Sequence, residues 1–437
     1  MSFLFRFGAP SKRTIIHPKQ DFGNQISSSS MDHDIIIIGG GPAGLSTALH
    51  LHRIAPHLAQ RVLILERERY PRPKLCAGGL VLDAEIILQR LGLDVTEVRH
   101  VDSQQINFEF QGKGLKIRVP GKHALRIIRR DEFDNWLAEK TKSRGMQIRE
   151  SVSVKNIIPE AIGVTVETDH GTLRAQVVVG ADGSNGITRR YVFPHAPVHT
   201  ARVLEILAPE YGAIARSGEA PTWQSPKHPK IATLPAPQVA RNDTWSYFEF
   251  SPVPSNIAGY IWDFPTQIKG KPMRCWGIFD SNLLANGSRP HLKESLAQEM
   301  SRVGFDLSDN EIKGHPIRWF SPENPMSAPR VLLVGDAAGA DPLLGEGISI
   351  ALGYGTLAAH EIHEAFQHND FSFGSYKDKV MKSGLGRTLF ARWFIAQIVY
   401  PLKWTWFQIL VWRFLKPLVI MVAWLFVLNW GRRLRTN

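Results

Sequence analysis

The stretch DHDIIIIGGGPAGLSTALHLHR, residues 32–53, leaves the chain few ways to fold. Ile35–Ile38 is a β-branched run of strand type. Gly39, Gly41 and Gly44 follow in the spacing G-x-G-x-x-G, with Pro42 and Ala43 between them, and a helical pattern then puts Leu45, Ala48, Leu49 and His52 on one face. RVLILERE, residues 61–68, reads as a second strand, which completes a βαβ unit with a parallel pair. In such a unit Gly39 allows a tight turn, Gly41 lets backbone amides reach a pyrophosphate, and Gly44 lets helix and strand approach closely. The helix N-terminus faces the anion. Glu66, 22 residues beyond Gly44, ends the second strand where a carboxylate can accept hydrogen bonds from ribose hydroxyls.

Later segments show that this fold is interrupted. DEFDNWLAEKTKSRG (131–145) reads as a helix stopped by glycine. AQVVVGADG (175–183) and RVLLVGDAAG (330–339) read as buried strands entering glycine turns. Between them, from about Tyr191 to Ala328, Pro, Trp and short alternating runs dominate, as in a mainly antiparallel sheet. The expected division is a flexible leader (1–30), a nucleotide-binding part (31–190) with a small sheet segment at about 96–122, an inserted domain (191–328), the rest of the nucleotide-binding part (329–385) and an apolar tail (386–437). The leader has no long apolar run, and it reads as a transit peptide, a disordered leader or sequence ahead of a start at Met31. Two cysteines, Cys76 and Cys275, exclude a disulfide framework.

Four ordered motifs carry a family resemblance. GADGSNGITRR (180–190), GDAAGADPLLGEGISIALGYG (335–355) and RRDEFDNWL (129–137), together with the glycine turn, resemble the flavoprotein hydroxylase and geranylgeranyl reductase superfamily. The resemblance implies an α/β fold: a discontinuous, Rossmann-like FAD-binding domain with an inserted, mainly antiparallel-sheet substrate domain and a C-terminal apolar helical tail. It implies FAD as cofactor, with Asp336 at the ribityl–phosphate region, Arg130 near the same arm, and Asp182 and Gly183 beside it. Gly345, Glu346, Gly347 and Ile348 would open a helix toward the flavin's pyrimidine edge, where a helix N-terminus stabilises negative charge. One departure is Gly186, where the family often has serine.

YPRPKLCAGGL (70–80) resembles the P-R-x-K-x-C-G-G-G segment of geranylgeranyl reductases, with Ala77 in place of a glycine, and implies Cys76, Ala77 and Gly79 along the flavin. GYIWDFP (259–265) resembles their Y-x-W-x-F-P signature. On a strand, Tyr260, Trp262 and Phe264 share one face, a wall suited to a long apolar substrate. Cys76, Tyr260 and Trp262 are therefore the expected catalytic residues, and the expected reaction is reduction of carbon–carbon double bonds in a polyprenyl lipid or diphosphate. The proton would come from water or an acid such as Tyr260. No second G-x-G-x-x-G follows a strand, so electrons come from NAD(P)H in transit or from a ferredoxin-type donor protein. Two rivals stand: a flavin monooxygenase or halogenase of an aromatic or polyene, and a membrane-docked flavin electron carrier. HEIHE (360–364) spaces its histidines three apart, not four, and no metal is expected.

Charge completes the reading. The net charge is +12, yet residues 386–437 hold eight Lys or Arg and no acid, and residues 1–30 hold four basic residues against Asp21. The body is nearly neutral, so no nucleic-acid partner is expected. Six of the twelve Trp lie after residue 389, with no clean polar face on a helical wheel. The uncharged run 417–431 would reach roughly 22 Å as a helix, short of a bilayer core of roughly 30 Å. The tail is expected to be a monotopic or peripheral membrane anchor on the cytoplasmic or stromal face, the alternative being a buried helical cap on the enzyme itself.

Overall fold

Strand β1 (His33–Ile38) is the hub of the main sheet. Ile35–Ile38 are buried on both faces, which is why this strand is a continuous β-branched run rather than an alternating one. Ile35 and Ile37 enter one core, Ile36 and Ile38 another. A computed structural model of the protein describes residues 31–194, 199–210, 241–284, 290–307 and 312–434, so the expected leader (1–30) lies outside the described residues.

The remaining strands are β2 (Val62–Leu65), β3 (Gly79–Leu80), β4 (His100–Ser103), β5 (Gln105–Phe110), β6 (Lys113–Ile117), β7 (Leu125–Ile128), β8 (Gln147–Arg149), β9 (Val154–Pro159), β10 (Val164–Thr168), β11 (Gly171–Gly180), β12 (Thr200–Pro209), β13 (Trp245–Glu249), β14 (Gly259–Ile268), β15 (Lys271–Asp280), β16 (Lys313–Arg318), β17 (Ser327–Ala328) and β18 (Val331–Leu333). The helices used below are α1 (Pro42–Ile54), α2 (Leu82–Arg90), α3 (Arg130–Lys142), α4 (Ile348–His368) and α5 (Gly384–Val399).

The first sheet runs β17-β18-β11-β1-β2-β8, with β10 and β9 attached to β11. Its central pairs are parallel, and their register is decisive: Ile38 pairs with both Leu65 and Gly180, and Gly180 pairs with Leu333. Four strands thus end in one row. The turns that follow, at Gly39, Glu66, Ala181 and Val334, share the C-terminal edge where such sheets hold ligands. Helices α1 and α4 cover one face. Ser46 on α1 donates 2.8 Å to the Leu352 carbonyl on α4.

The second sheet runs β16-β12-β15-β14-β13-β5-β6 and is antiparallel except for the β13/β5 pair. The strands near residues 96–122, expected as a small sheet within the nucleotide-binding part, divide differently. Residues 105–117 (β5 and β6) pair onto β13, whereas β4 joins β3 and β7 in a three-stranded sheet. Local sequence carries no signal for that pairing, because β13 lies more than a hundred residues further along.

The tail is built into the fold. Leu389, Ala396 and Trp430 are fully buried, and the Trp430 ring lies against Gly353 of α4. Asp83 on α2 accepts hydrogen bonds from the Gly431 and Asn429 amides, at 2.7 and 3.1 Å. Trp412 stacks on Phe250, with ring centroids 4.2 Å apart. No single helix among the described residues is long and apolar enough to cross a membrane. Thr405–Phe414 and Lys416–Arg433 reach that length only together, bent by 80°.

Candidate active site

The aligned strand ends open into a cavity of about 1070 Å³. Gly39, Gly41, Pro42, Ala43 and Glu66 line one end; Arg130, Asp182, Gly183 and Asp336 follow; Cys76, Ala77 and Gly79 lie with Gly345–Ile348, Tyr260 and Trp262 further along. Of the residues singled out from sequence, Gly44 alone is off this surface. It serves behind it, where an added Cβ would stand 2.1 Å from the Gly39 carbonyl oxygen, so β1 and α1 meet only because position 44 lacks a side chain. At Gly41 the situation is reversed. An added Cβ would meet only Arg72 Nη2, at 3.8 Å, so this position borders open space at the amino end of α1. That opening, with Glu66 beside it, fits the adenosine diphosphate end of FAD.

A chain of alternating charges runs beneath the cavity. Glu66 Oε2 accepts from the Gly40 amide at 2.9 Å and from Arg72 Nη2 at 3.1 Å. Arg72 Nη1 lies 3.2 Å from Asp134, and Arg130 grips the same carboxylate with two bonds of 2.8 Å. Two guanidinium groups and two carboxylates are buried without net charge, the condition under which buried ions are tolerated. Sequence reading found Glu66 and Arg130 but not Arg72 and Asp134 as their links, although Asp134 stands in the quoted F-D pair.

Asp182 is committed elsewhere. Its carboxylate accepts from the Thr188 amide and hydroxyl at 3.0 and 2.6 Å, capping the helix Ile187–Val192. Burial nevertheless pushes its pKa up, against the lowering effect of those bonds. The carboxylate fills the space a side chain at 186 would need, with Oδ1 2.0 Å from an added Cβ, which explains Gly186. Asp336 accepts from Ser184 Oγ at 3.3 Å.

Cys76 lines the cavity with its sulfur 3.4 Å from the Gly78 amide. Burial raises its thiol pKa, and Arg130 opposes that rise only in part. Beside it lies Glu205 of β12, which sequence reading missed. Burial pushes the Glu205 carboxyl up to about 7, with Arg129 and the Cys76 amide pulling the other way, and its Oε2 is buried without a hydrogen-bond partner. Lys74 Nζ and His315 Nε2 also meet on the cavity wall, 3.0 Å apart. Burial, then Lys74, pushes His315 down to about 4.

Tyr260, Trp262 and Phe264 line the cavity from one face of β14, all nearly buried. The Trp262 indole has room because its cross-strand partner is Gly277, where a Cβ would stand 2.0 Å from the ring. Tyr260 donates to the Leu344 carbonyl at 2.5 Å, and burial followed by the nearby Asp341 pushes its pKa well up. Its hydroxyl therefore ties β14 to the loop that leads into Gly345. From the tail, Arg392 ion-pairs Asp341 at 2.7 Å and Glu346 at 2.5 Å on that same loop. In the HEIHE segment, Glu361 and Glu364 both bind Lys379 at 2.6 Å, and no metal-ligand cluster occurs among the described residues.

Known proteins with this architecture act as comparison. A digeranylgeranylglycerophospholipid reductase of Thermoplasma volcanium is 25% identical over 407 residues, 83% of this chain and 86% of that protein. The crystal structure of a geranylgeranyl bacteriochlorophyll reductase-like protein from Thermoplasma acidophilum is similar with TM-score 0.66 at 20% identity, covering 92% of this chain and 98% of the other. A flavin-dependent brominase shares the fold at TM-score 0.61 and 17% identity, covering 92% and 94% of the two chains. The sequence pattern of the family described as FAD binding domain matches residues 32–256, more than half of the 437. A match of that extent shows that the chain belongs to the FAD binding domain family, as an FAD-dependent oxidoreductase.

Proposed function

We propose that the protein reduces carbon–carbon double bonds of a polyprenyl chain, of geranylgeranyl type, at a membrane surface. The observation that carries this reading is the continuity of one cavity from the glycine turn, past Cys76 and Gly345–Ile348, to the aromatic face of Tyr260, Trp262 and Phe264. An apolar chain laid on that face has its alkene beside the place where the flavin ring belongs. FAD held there in its reduced form would supply a hydride equivalent to one alkene carbon and would itself be oxidised. The second carbon takes a proton from water or from an acid such as Tyr260.

The chain's own residues bind and exclude. Gly41 and the α1 amides receive the pyrophosphate, and Glu66 receives ribose hydroxyls. The amino end of α4, capped at Gly347, would favour negative charge on the flavin's pyrimidine edge. Trp262 and Phe264 position the prenyl chain and keep oxygen and bulk water away. NAD(P)H or a ferredoxin-type protein restores the electrons. The tail, acid-free and apolar on its outer side, rests on the cytoplasmic or stromal face of a membrane.

A halogenase or monooxygenase shares the fold and separates by its need for oxygen. An electron carrier separates by lacking an organic substrate. The test is reoxidation of dithionite-reduced protein under argon by a geranylgeranyl lipid. Return of the oxidised flavin spectrum is the expected result, and a reduced flavin that responds only to oxygen contradicts the reading.

A further inference from the structure

The tail has two faces. Its inner face is the buried one described above, while Phe390, Phe394, Trp406, Phe414 and Met421 are 44–70% exposed on the outer one. Large apolar patches on a protein surface mark an interaction site. Residues 386–434 contain no Asp or Glu, and Arg387, Lys403, Arg413, Lys416, Arg432 and Arg433 accompany the patch. Apolar area with positive charge and no negative charge matches an anionic lipid bilayer in particular. A protein partner would normally be met by mixed signs at its rim.

The cavity supplies an independent observation. Leu82, Val119, Ile420 and Trp424 line it and are also exposed, so they form an apolar stretch of its rim, and the exposed cations Lys116 and Arg118 stand on the rim beside Val119. Inward from this rim, rings follow one another: Phe108 to Phe248 at 4.8 Å, Phe248 to Tyr260 at 5.1 Å, Tyr260 to Trp262 at 6.5 Å between centroids. These rings give the cavity a continuous apolar wall toward the loop at Gly345, and Ile420 and Trp424 of its rim belong to the same tail segment as the exposed patch.

We propose that this stretch of rim, between Ile420 and Trp424 on one side and Leu82 and Val119 on the other, is a lateral port that opens into the acyl region of an anionic bilayer on which the tail rests. The prenyl chain then passes from lipid to cavity without crossing water. The tail is at once the docking surface and one wall of the port. This inference rests on the membrane and prenyl-substrate reading given above and specifies its geometry.

The test uses the full-length holoprotein and vesicles of phosphatidylcholine with phosphatidylglycerol. Trp406→Glu combined with Phe414→Glu alters the patch away from the cavity and adds charge that an anionic bilayer repels. It should lower vesicle co-sedimentation at least 10-fold with flavin content and melting temperature unchanged, and unchanged sedimentation overturns the docking surface. Ala423→Trp narrows the port, since Ala423 lines the cavity beside Trp424. It should sediment like the parent and keep its flavin. Geranylgeraniol supplied in the vesicles should perturb the oxidised flavin absorbance at least 10-fold more slowly than in the parent. Val119→Trp, on the opposite rim, should do the same and guards against misfolding of the first variant. Equal rates in both variants overturn the port and leave the reductase reading standing. No perturbation in the parent overturns the port as well. A perturbation without reduced product upholds the port and contradicts the reductase.

Discussion

Arg392 of the tail and Asp341 of the loop before α4 form an ion pair of 2.7 Å with both side chains buried. The same guanidinium nitrogen lies 2.5 Å from Glu346, and its Nη2 donates to the Val427 carbonyl at 2.8 Å. One residue therefore holds together the tail's two ends and the loop that leads into α4. Arg392→Ala leaves Asp341 buried without its cation, at a cost of about 3–5 kcal/mol. Thermal denaturation should show that loss, and FAD per polypeptide should fall with it. A variant with unchanged melting temperature and full flavin would show that the tail and the loop are independent.

Gly41→Val should fold and fail to hold FAD. An added Cβ there has no protein neighbour nearer than Arg72 Nη2 at 3.8 Å, and the side chain would occupy the space proposed for the pyrophosphate. The checks are circular dichroism, expected unchanged, and visible absorbance, expected absent. A yellow variant would move the pyrophosphate elsewhere.

Trp262→Ala should keep FAD and raise KM for a prenyl substrate at least 10-fold, because it removes wall area rather than cofactor contacts. Cys76→Ser should also keep FAD and lower kcat, as Cys76 lines the cavity beside Arg130 and Glu205. Parent-like steady-state kinetics in both variants would reduce the aromatic face to core packing.

Glu205 gives a pH signature. Its folded pKa of about 7 exceeds its ordinary value of 4.5, so the folded state binds more protons between those values. Its stabilising contribution is complete below pH 4.5 and is lost as pH rises through 7. His315 acts oppositely, its contribution present above 6.5 and lost as pH falls through 4. Glu205→Gln should therefore gain melting temperature relative to the parent as pH goes from 5 to 8. A constant difference across that range would mean the carboxyl is not perturbed.

The glycine turn, the strand ends and the aromatic face were legible because each is local: Ile35–Gly44 and Tyr260–Phe264 announce their geometry within ten residues. What was not legible is what the fold brings together from afar. Glu205 beside Cys76 depends on strand β12 crossing the cavity, and no spacing in sequence encodes it. The tail shows the same limit. A helical wheel finds no polar face there because the inward face is itself apolar, with Leu389, Ala396 and Trp430 packed on the enzyme. Only Arg392 hinted otherwise, as an isolated cation in an acid-free segment whose partners lie some fifty residues earlier.

The central claim is that hydrogen is added to a prenyl alkene and oxygen is not. Protein reduced with dithionite under argon, mixed with a geranylgeranyl lipid in anionic vesicles and analysed by mass spectrometry, tests it directly. The account predicts product heavier by one or more pairs of hydrogens, formed without oxygen. Unchanged lipid under argon, with an oxygen or halogen atom gained only after air is admitted, would contradict it.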